Sequence, residues 1–81
     1  MATKSQHKLS YRILPPYLRE IREKAGLTQR DLAKLLNQPQ NFVHRSETGG
    51  RRLDPIELIL WSKACGVNPK TAIGKLAKEL E

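Results

Sequence analysis

The 81-residue chain is predicted to be an all-α domain built from five short helices. Apolar residues recur at helical spacing in several segments, prolines or capping residues precede those segments, and glycines follow most of them. No segment alternates apolar and polar residues with a period of two, so the sequence predicts no strand. A chain of this length forms one domain at most and buries only ~60–65% of its unfolded surface, so pairing with a second copy would stabilise it.

The first helix follows a basic N-terminal arm, which we place at residues 1–14. Two consecutive prolines begin at Pro15 and mark the start of the domain proper, residues 15–81, because proline suits the first turn of a helix and not its interior. The predicted first helix covers about residues 16–25. Gly26 ends it, since glycine commonly takes the left-handed conformation just past a helix.

Two further helices are predicted very close together. Thr28 and Asp31 have the spacing of a capping box, which marks the start of the second helix. Only two residues, beginning with Asn37, separate that helix from a third one over residues 39–48. Asparagine tolerates the left-handed conformation that a tight turn needs. Two helices crossing at ~90–120° over such a short turn form a helix-turn-helix, which we place at about residues 28–48.

The C-terminal part of the chain carries two more predicted helices, within residues 54–80. Asp54 provides a cap, a proline follows it at the first helical position, and Glu57 stands at the third position. That helix stops at Gly66. Pro69 starts the last helix almost at once.

The third helix has two different faces. On a wheel at ~100° per residue, its residues divide into two opposite arcs. The inner arc holds Phe42, Val43, Ser46 and Glu47, and the outer arc holds Gln40, Asn41, His44, Arg45 and Thr48. The outer arc contains no acid, whereas a plainly solvated face usually does. Amide and guanidinium groups hydrogen-bond base edges. We therefore predict contacts to DNA bases by Gln40, Asn41, His44 and Arg45.

Glu47 is the unusual member of the inner arc. It shares that face with Val43, where an unpaired charge would be costly. A cation from another helix is therefore expected to meet its carboxylate. Arg22 on the first helix is the best candidate, and we predict a structural ion pair between the two residues.

The net charge of +7 is distributed unevenly. It amounts to +4 in residues 1–25, +3 in residues 26–53 and zero in residues 54–81. This asymmetry favours one side that faces a polyanion and another that faces a protein partner. An ordinary solvated basic surface is the alternative interpretation of the charge alone.

Several functional classes have no support in the sequence. The single cysteine, Cys65, excludes an intrachain disulfide and suits a reducing compartment. No run approaches ~18 apolar residues, so no membrane partner is expected and a cytoplasmic, nucleoid-associated location is predicted. His7, His44 and Cys65 lack the spacing of metal ligands. No nucleophile–base pair or phosphate-binding glycine loop occurs, so we expect no enzyme activity, no cofactor and no metal.

Two motifs resemble those of a known family. Residues 18–33 (LREIREKAGLTQRDLA) and 40–49 (QNFVHRSETG) resemble Cro/repressor-type, or XRE-family, helix-turn-helix domains. The resemblance covers about residues 17–68 and implies a compact lambda-repressor-like fold. The chain departs from the family pattern in Asn37, Pro39 and Ser46. The last of these replaces an apolar residue, which predicts weaker packing under the third helix.

The resemblance also implies roles for individual residues. Gln29 matches a glutamine that contacts a DNA phosphate and braces the leading base-contacting residue, here Gln40. Arg22 and Glu47 match the interhelical ion pair of the family. The residues expected on DNA phosphates are Gln29, Arg30, Thr48, Arg51 and Arg52.

The apolar residues near the C-terminus exceed what a core of this size accommodates. We therefore expect a two-fold dimer interface formed by Trp61, Ile73, Leu76 and Leu80. The predicted function is a homodimeric transcriptional regulator, expected to be a repressor, on a pseudo-palindromic operator in double-stranded DNA. Two alternatives stay open. One is an antitoxin that binds a toxin and regulates its own synthesis, and the other is an interaction module without specific DNA binding.

Overall fold

The computed structural model describes residues 11–80, and five α-helices account for most of them. They are α1 (Leu14–Lys24), α2 (Gln29–Leu36), α3 (Gln40–Thr48), α4 (Pro55–Ala64) and α5 (Pro69–Glu79). No strand occurs in this part of the chain. The predicted all-α class with five helices is therefore confirmed. None of these helices is long and apolar enough to cross a membrane.

Helix α1 begins earlier than the sequence predicted. Its first residue is Leu14, and both following prolines lie within its first turn. The N–H groups of a first turn have no partner inside the helix, so their absence from proline costs nothing there. The sequence alone does not decide at which residue around the two prolines the helix begins. Most of the predicted arm, residues 1–10, lies outside the described residues.

Two reciprocal capping boxes fix the starts of α2 and α4. The hydroxyl of Thr28 accepts from the Asp31 N–H at 3.0 Å, and the carboxylate of Asp31 accepts from the Thr28 N–H at 2.9 Å. These hydrogen bonds, first of all the one from the Thr28 backbone, lower the pKa of Asp31. At α4, the Glu57 N–H donates to Asp54 at 2.7 Å and the Asp54 N–H donates to Glu57 at 2.9 Å.

The turn between α2 and α3 depends on Asn37. Its φ of 54° and ψ of 45° are left-handed, and no other non-glycine residue among residues 11–80 has a positive φ. The reversal lets the Gln38 N–H donate to the Ala33 carbonyl at 2.9 Å, which satisfies an end group of α2. Pro39 then takes an extended conformation and α3 starts at once. The short turn predicted from Asn37 is present.

The hydrophobic core lies between the first four helices. Leu18, Leu32, Val43 and Trp61 come from α1, α2, α3 and α4 in turn, and each is 0% exposed. The indole N–H of Trp61 donates to the Leu18 carbonyl at 3.3 Å, so burial leaves it no unsatisfied donor. Cys65 lies in the same cluster, and burial raises the pKa of its thiol to about 11.

Trp61 corrects the prediction for the dimer interface. A side chain with no exposed surface in a single chain cannot contact a second copy. Tryptophan has the largest side chain, so its burial in a small core removes the most apolar surface from water. The other predicted interface residues differ, since Ile73 and Leu80 are exposed and Leu76 is half-buried.

Candidate nucleic-acid interface

Helix α3 packs on α1 and α2 with one face and leaves the other open. Val43, Ser46 and Glu47 are buried and Phe42 is half-buried, as the inner arc requires. The outer arc is exposed throughout: Gln40, Asn41, His44, Arg45 and Thr48. The helix therefore offers a continuous polar surface of hydrogen-bonding groups, and that surface carries no acid.

Arg22 and Glu47 form the ion pair expected under α3. Nε of Arg22 donates to Oε2 of Glu47 at 2.6 Å, and Nη2 donates to Oε1 at 3.0 Å. The two side chains are only 9% and 2% exposed. Nη1 of Arg22 also donates to the Leu27 carbonyl at 2.7 Å. The hydrogen bond to Glu47 raises the pKa of Arg22, while burial works in the opposite direction. This pair ties α3 to α1.

A polar network extends from this pair to the exposed face. It consists of Arg22, Glu47, Gln29, Gln40 and Arg30. Nε2 of Gln29 donates to Oε1 of Glu47 at 3.2 Å. Nε2 of Gln40 donates to Oε1 of Gln29 at 3.4 Å, and Nε of Arg30 donates to Oε1 of Gln40 at 3.1 Å. Gln29 thus contacts Gln40, the residue it was expected to brace.

Ser46 is buried under α3 and its hydroxyl is satisfied there. It is 1% exposed, and its hydroxyl donates to the Phe42 carbonyl at 2.7 Å. Within residues 11–80, every buried side-chain nitrogen or oxygen has a hydrogen-bond partner. A small hydroxyl that bonds back along its own helix replaces an apolar side chain without an unsatisfied group.

Polar side chains close the C-terminal end of α3. Gly49 takes a φ of 86°, which ends the helix in a conformation that glycine adopts without strain. The Thr48 hydroxyl donates to the His44 carbonyl at 3.0 Å. Nη2 of Arg45 donates to the Gly50 carbonyl at 3.0 Å. Arg45 is therefore exposed, yet one edge of its guanidinium is already held by the loop.

The loop after α3 contains two arginines in different environments. Arg51 forms two hydrogen bonds with the Glu57 carboxylate, at 3.2 and 3.3 Å, and lies 4.4 Å from the centre of the Phe42 ring. Arg52 is exposed and lies 3.8 Å from the centre of the Tyr11 ring. A phosphate contact by Arg51 stays a prediction, and it would have to coexist with the Glu57 pair.

Three contacts near this surface escaped the sequence analysis. They are the ones between Arg30 and Gln40, between Arg51 and Glu57, and between Arg52 and Tyr11. The sequence predicts Glu57 only as a helix cap, whereas its carboxylate accepts hydrogen bonds from both the Asp54 N–H and Arg51. Among the described residues, no group of His, Cys, Asp or Glu side chains could hold a metal ion.

Comparison with known proteins places these features in one family. A helix-turn-helix family model matches residues 18–71. The fold is also similar to the solved structure of an XRE-family-like protein from Pseudomonas syringae pv. tomato str. DC3000, with a TM-score of 0.86 and 38% sequence identity. That alignment covers 94% of this chain and 93% of the other. No curated protein gives a significant match. The residues matched by the family model include the whole polar network.

Proposed function

Because the chain belongs to the XRE-type helix-turn-helix family of DNA-binding transcriptional regulators, we propose that it is a repressor that binds a pseudo-palindromic operator as a homodimer. The acid-free, exposed face of α3 is the observation that carries the proposal. An α-helix fits the major groove, where each base pair presents a distinct pattern of donors and acceptors. Two such helices would enter successive major grooves ~34 Å apart.

The base contacts are assigned to the first turns of α3. Gln40 and Asn41 lie at its start and His44 one turn later, and all three are exposed. Glutamine and asparagine form paired hydrogen bonds with adenine. Arg45 is assigned to guanine through the N–H groups that its bond to the Gly50 carbonyl leaves free. Each well-formed pair discriminates against the wrong base by ~1–3 kcal/mol.

Phosphate contacts are assigned to the two ends of this face. Gln29 lies in the first turn of α2, beside the start of α3, and Thr48 and Arg52 lie at and beyond the end of α3. Contacts at both ends would fix how α3 is oriented in the groove, although they carry no sequence information. Binding is expected to weaken steeply with salt, because each neutralised phosphate releases counterions.

The homodimer is supported by apolar surface that one chain leaves uncovered. Ile73 in α5 is 45% exposed, and Leu80, the residue that caps the C-terminus of α5, is 54% exposed. Burial of apolar groups at such positions against a second copy would stabilise the dimer, because it removes apolar surface from water. A two-fold axis also matches a palindromic site, because each half-site then meets the same surface.

Selection of bound sequences from a random DNA pool tests the proposal, followed by fluorescence titration of the selected site. A palindromic sequence is expected, and Gln40→Ala and Arg45→Ala should each lower the preference for one base position. Lys63→Ala is the control, because Lys63 is exposed on α4 and outside this face. If both α3 variants bound every DNA as the unchanged protein does, the assignment of α3 would be wrong. Nothing in residues 11–80 favours the antitoxin or the interaction-module alternative.

A further inference from the structure

We infer that Arg30 is a specificity-determining residue that fixes the orientation of the Gln40 amide, so that Gln40 selects adenine. The inference rests on the proposed function and on the hydrogen bond from Nε of Arg30 to Oε1 of Gln40, at 3.1 Å. From the sequence, Arg30 was expected to contact a phosphate. We infer a positioning role in place of that contact, because its guanidinium lies against Gln40, the leading side chain assigned to bases.

The groups at the two ends of the polar network determine which atom of each amide donates and which accepts. An ionised carboxylate only accepts hydrogen bonds and a guanidinium only donates them. Since Glu47 only accepts, Gln29 must turn its Nε2 toward Glu47, which leaves its Oε1 for Gln40. Gln40 must then turn its Nε2 toward Gln29 and its Oε1 toward Arg30. Neither amide can be reversed without breaking a hydrogen bond.

The orientation of the side chains at the buried end of the polar network is fixed. Glu47 has a 2% exposed side chain and receives two hydrogen bonds from Arg22. A reversed Gln40 would therefore oppose its oxygen to the oxygen of Gln29 and its N–H groups to those of Arg30. Without Arg30, reversal of the amide would be opposed only at Gln29, where the present contact is the longer of the two, 3.4 Å against 3.1 Å. Arg30 is thus the exposed group that holds the orientation.

The held orientation leaves one free group at each end of the Gln40 amide. One lone pair of Oε1 and one N–H of Nε2 remain for DNA. Adenine offers the complementary pair in the major groove, an N6 donor and an N7 acceptor. Guanine offers two acceptors there, of which one would face the Gln40 oxygen. The polar network therefore prepares Gln40 for adenine before DNA binds.

A positioning role and a phosphate contact give different results. Loss of a phosphate contact weakens binding to all sequences alike and lowers the slope of log affinity against log salt by ~0.9. Loss of positioning lowers the preference at one base position and leaves that slope unchanged. A residue that acts through Gln40 also has no effect on base preference once Gln40 is absent.

The test is a double-mutant cycle measured on two DNAs. The first is the selected operator. In the second, guanine replaces the adenine at the position where Gln40→Ala lowers the base preference. The proteins are the unchanged chain, Arg30→Ala, Gln40→Ala and the double variant, each titrated at several salt concentrations. Arg30→Ala is expected to lower the adenine-to-guanine affinity ratio about 3- to 10-fold, with no further loss in the Gln40→Ala background. Arg30→Lys, which keeps a donor, should recover part of the ratio. Lys34→Ala on the same helix should not change it.

If Arg30→Ala lowered the affinity for all sequences alike and reduced the salt slope, the inference would be overturned. Arg30 would then be a phosphate contact. An unchanged ratio in Arg30→Ala would overturn it as well. If Gln40→Ala itself changed no base preference, the proposed recognition surface would fail, and the inference with it. Thermal unfolding of each variant checks that all of them fold, which is expected because Arg30 is exposed.

Discussion

Arg22 and Glu47 are joined by two hydrogen bonds of 2.6 and 3.0 Å across 25 residues of sequence. The pair connects α1 to the buried face of α3, directly behind the side chains assigned to DNA. It also begins the polar network that reaches Gln40. Stability of the fold and geometry of the DNA-contacting surface therefore depend on the same two side chains.

Arg22→Met is expected to lower the free energy of unfolding by about 3–5 kcal/mol, because it leaves a buried carboxylate without a partner. The double variant Arg22→Met/Glu47→Leu should recover much of this loss, since it removes both charges. Urea unfolding followed by circular dichroism measures both values. Arg19→Ala is the control, because it breaks an exposed pair with Glu23 and should change stability by less than about 1 kcal/mol. Equal losses for the control and Arg22→Met would contradict this account.

Arg51→Ala is expected to destabilise the domain by about 0.5–2 kcal/mol and to weaken DNA binding. The side chain pairs with Glu57 and covers Phe42, so its loss loosens the loop between α3 and α4. Arg51→Lys should not restore stability, because lysine cannot form two parallel bonds and stack on the ring.

Arg52→Ala provides the matched comparison from the next position. Arg52 is exposed and is assigned to phosphate, so its loss should lower the salt slope while stability changes little. Thermal unfolding and DNA titration between about 50 and 200 mM salt separate the two residues, because affinity supplied by phosphate contacts falls steeply over that range. A reduced slope for Arg51→Ala would show that its guanidinium also contacts the backbone of DNA.

The capping box of α2 predicts a dependence of stability on pH. Its hydrogen bonds lower the pKa of Asp31 in the folded protein, so the unfolded chain binds the proton more tightly. The stabilisation is therefore complete above the unfolded pKa of ~3.9 and is lost as pH falls through the folded value. The difference in unfolding free energy between the unchanged protein and Asp31→Asn should shrink below about pH 4. A difference that did not shrink between about pH 4 and pH 2 would exclude this source.

Local rules predicted much of the fold. Thr28 with Asp31, and Asp54 with Glu57, act within one helical turn, so their spacing alone located two helix starts. The partner of Glu47 was predictable for a different reason. A charge on an apolar face requires a counter-charge, and few cations were in reach.

Long-range choices were not predictable in this way. Trp61 and Ile73 are both apolar residues of C-terminal helices, yet one fills the core and the other is exposed. Which of them is buried depends on how α4 packs against α2 and how α5 packs against α4, and helical spacing does not predict either arrangement. The Arg51–Glu57 pair was missed because Glu57 already had a sufficient role as a cap.

Exposed apolar residues predict how the homodimer can be dissociated. Ile73→Glu and Leu80→Glu should each shift the protein toward monomer, because each would place a charge in apolar contact with a second copy. Sedimentation equilibrium over a range of protein concentrations measures the shift. DNA binding should weaken in parallel, since a monomer contacts only one half-site. Leu60→Glu is the comparison, because Leu60 is 52% exposed on α4. If only Leu60→Glu dissociated the dimer, the interface would lie on α4 and the assignment to Ile73 and Leu80 would be wrong.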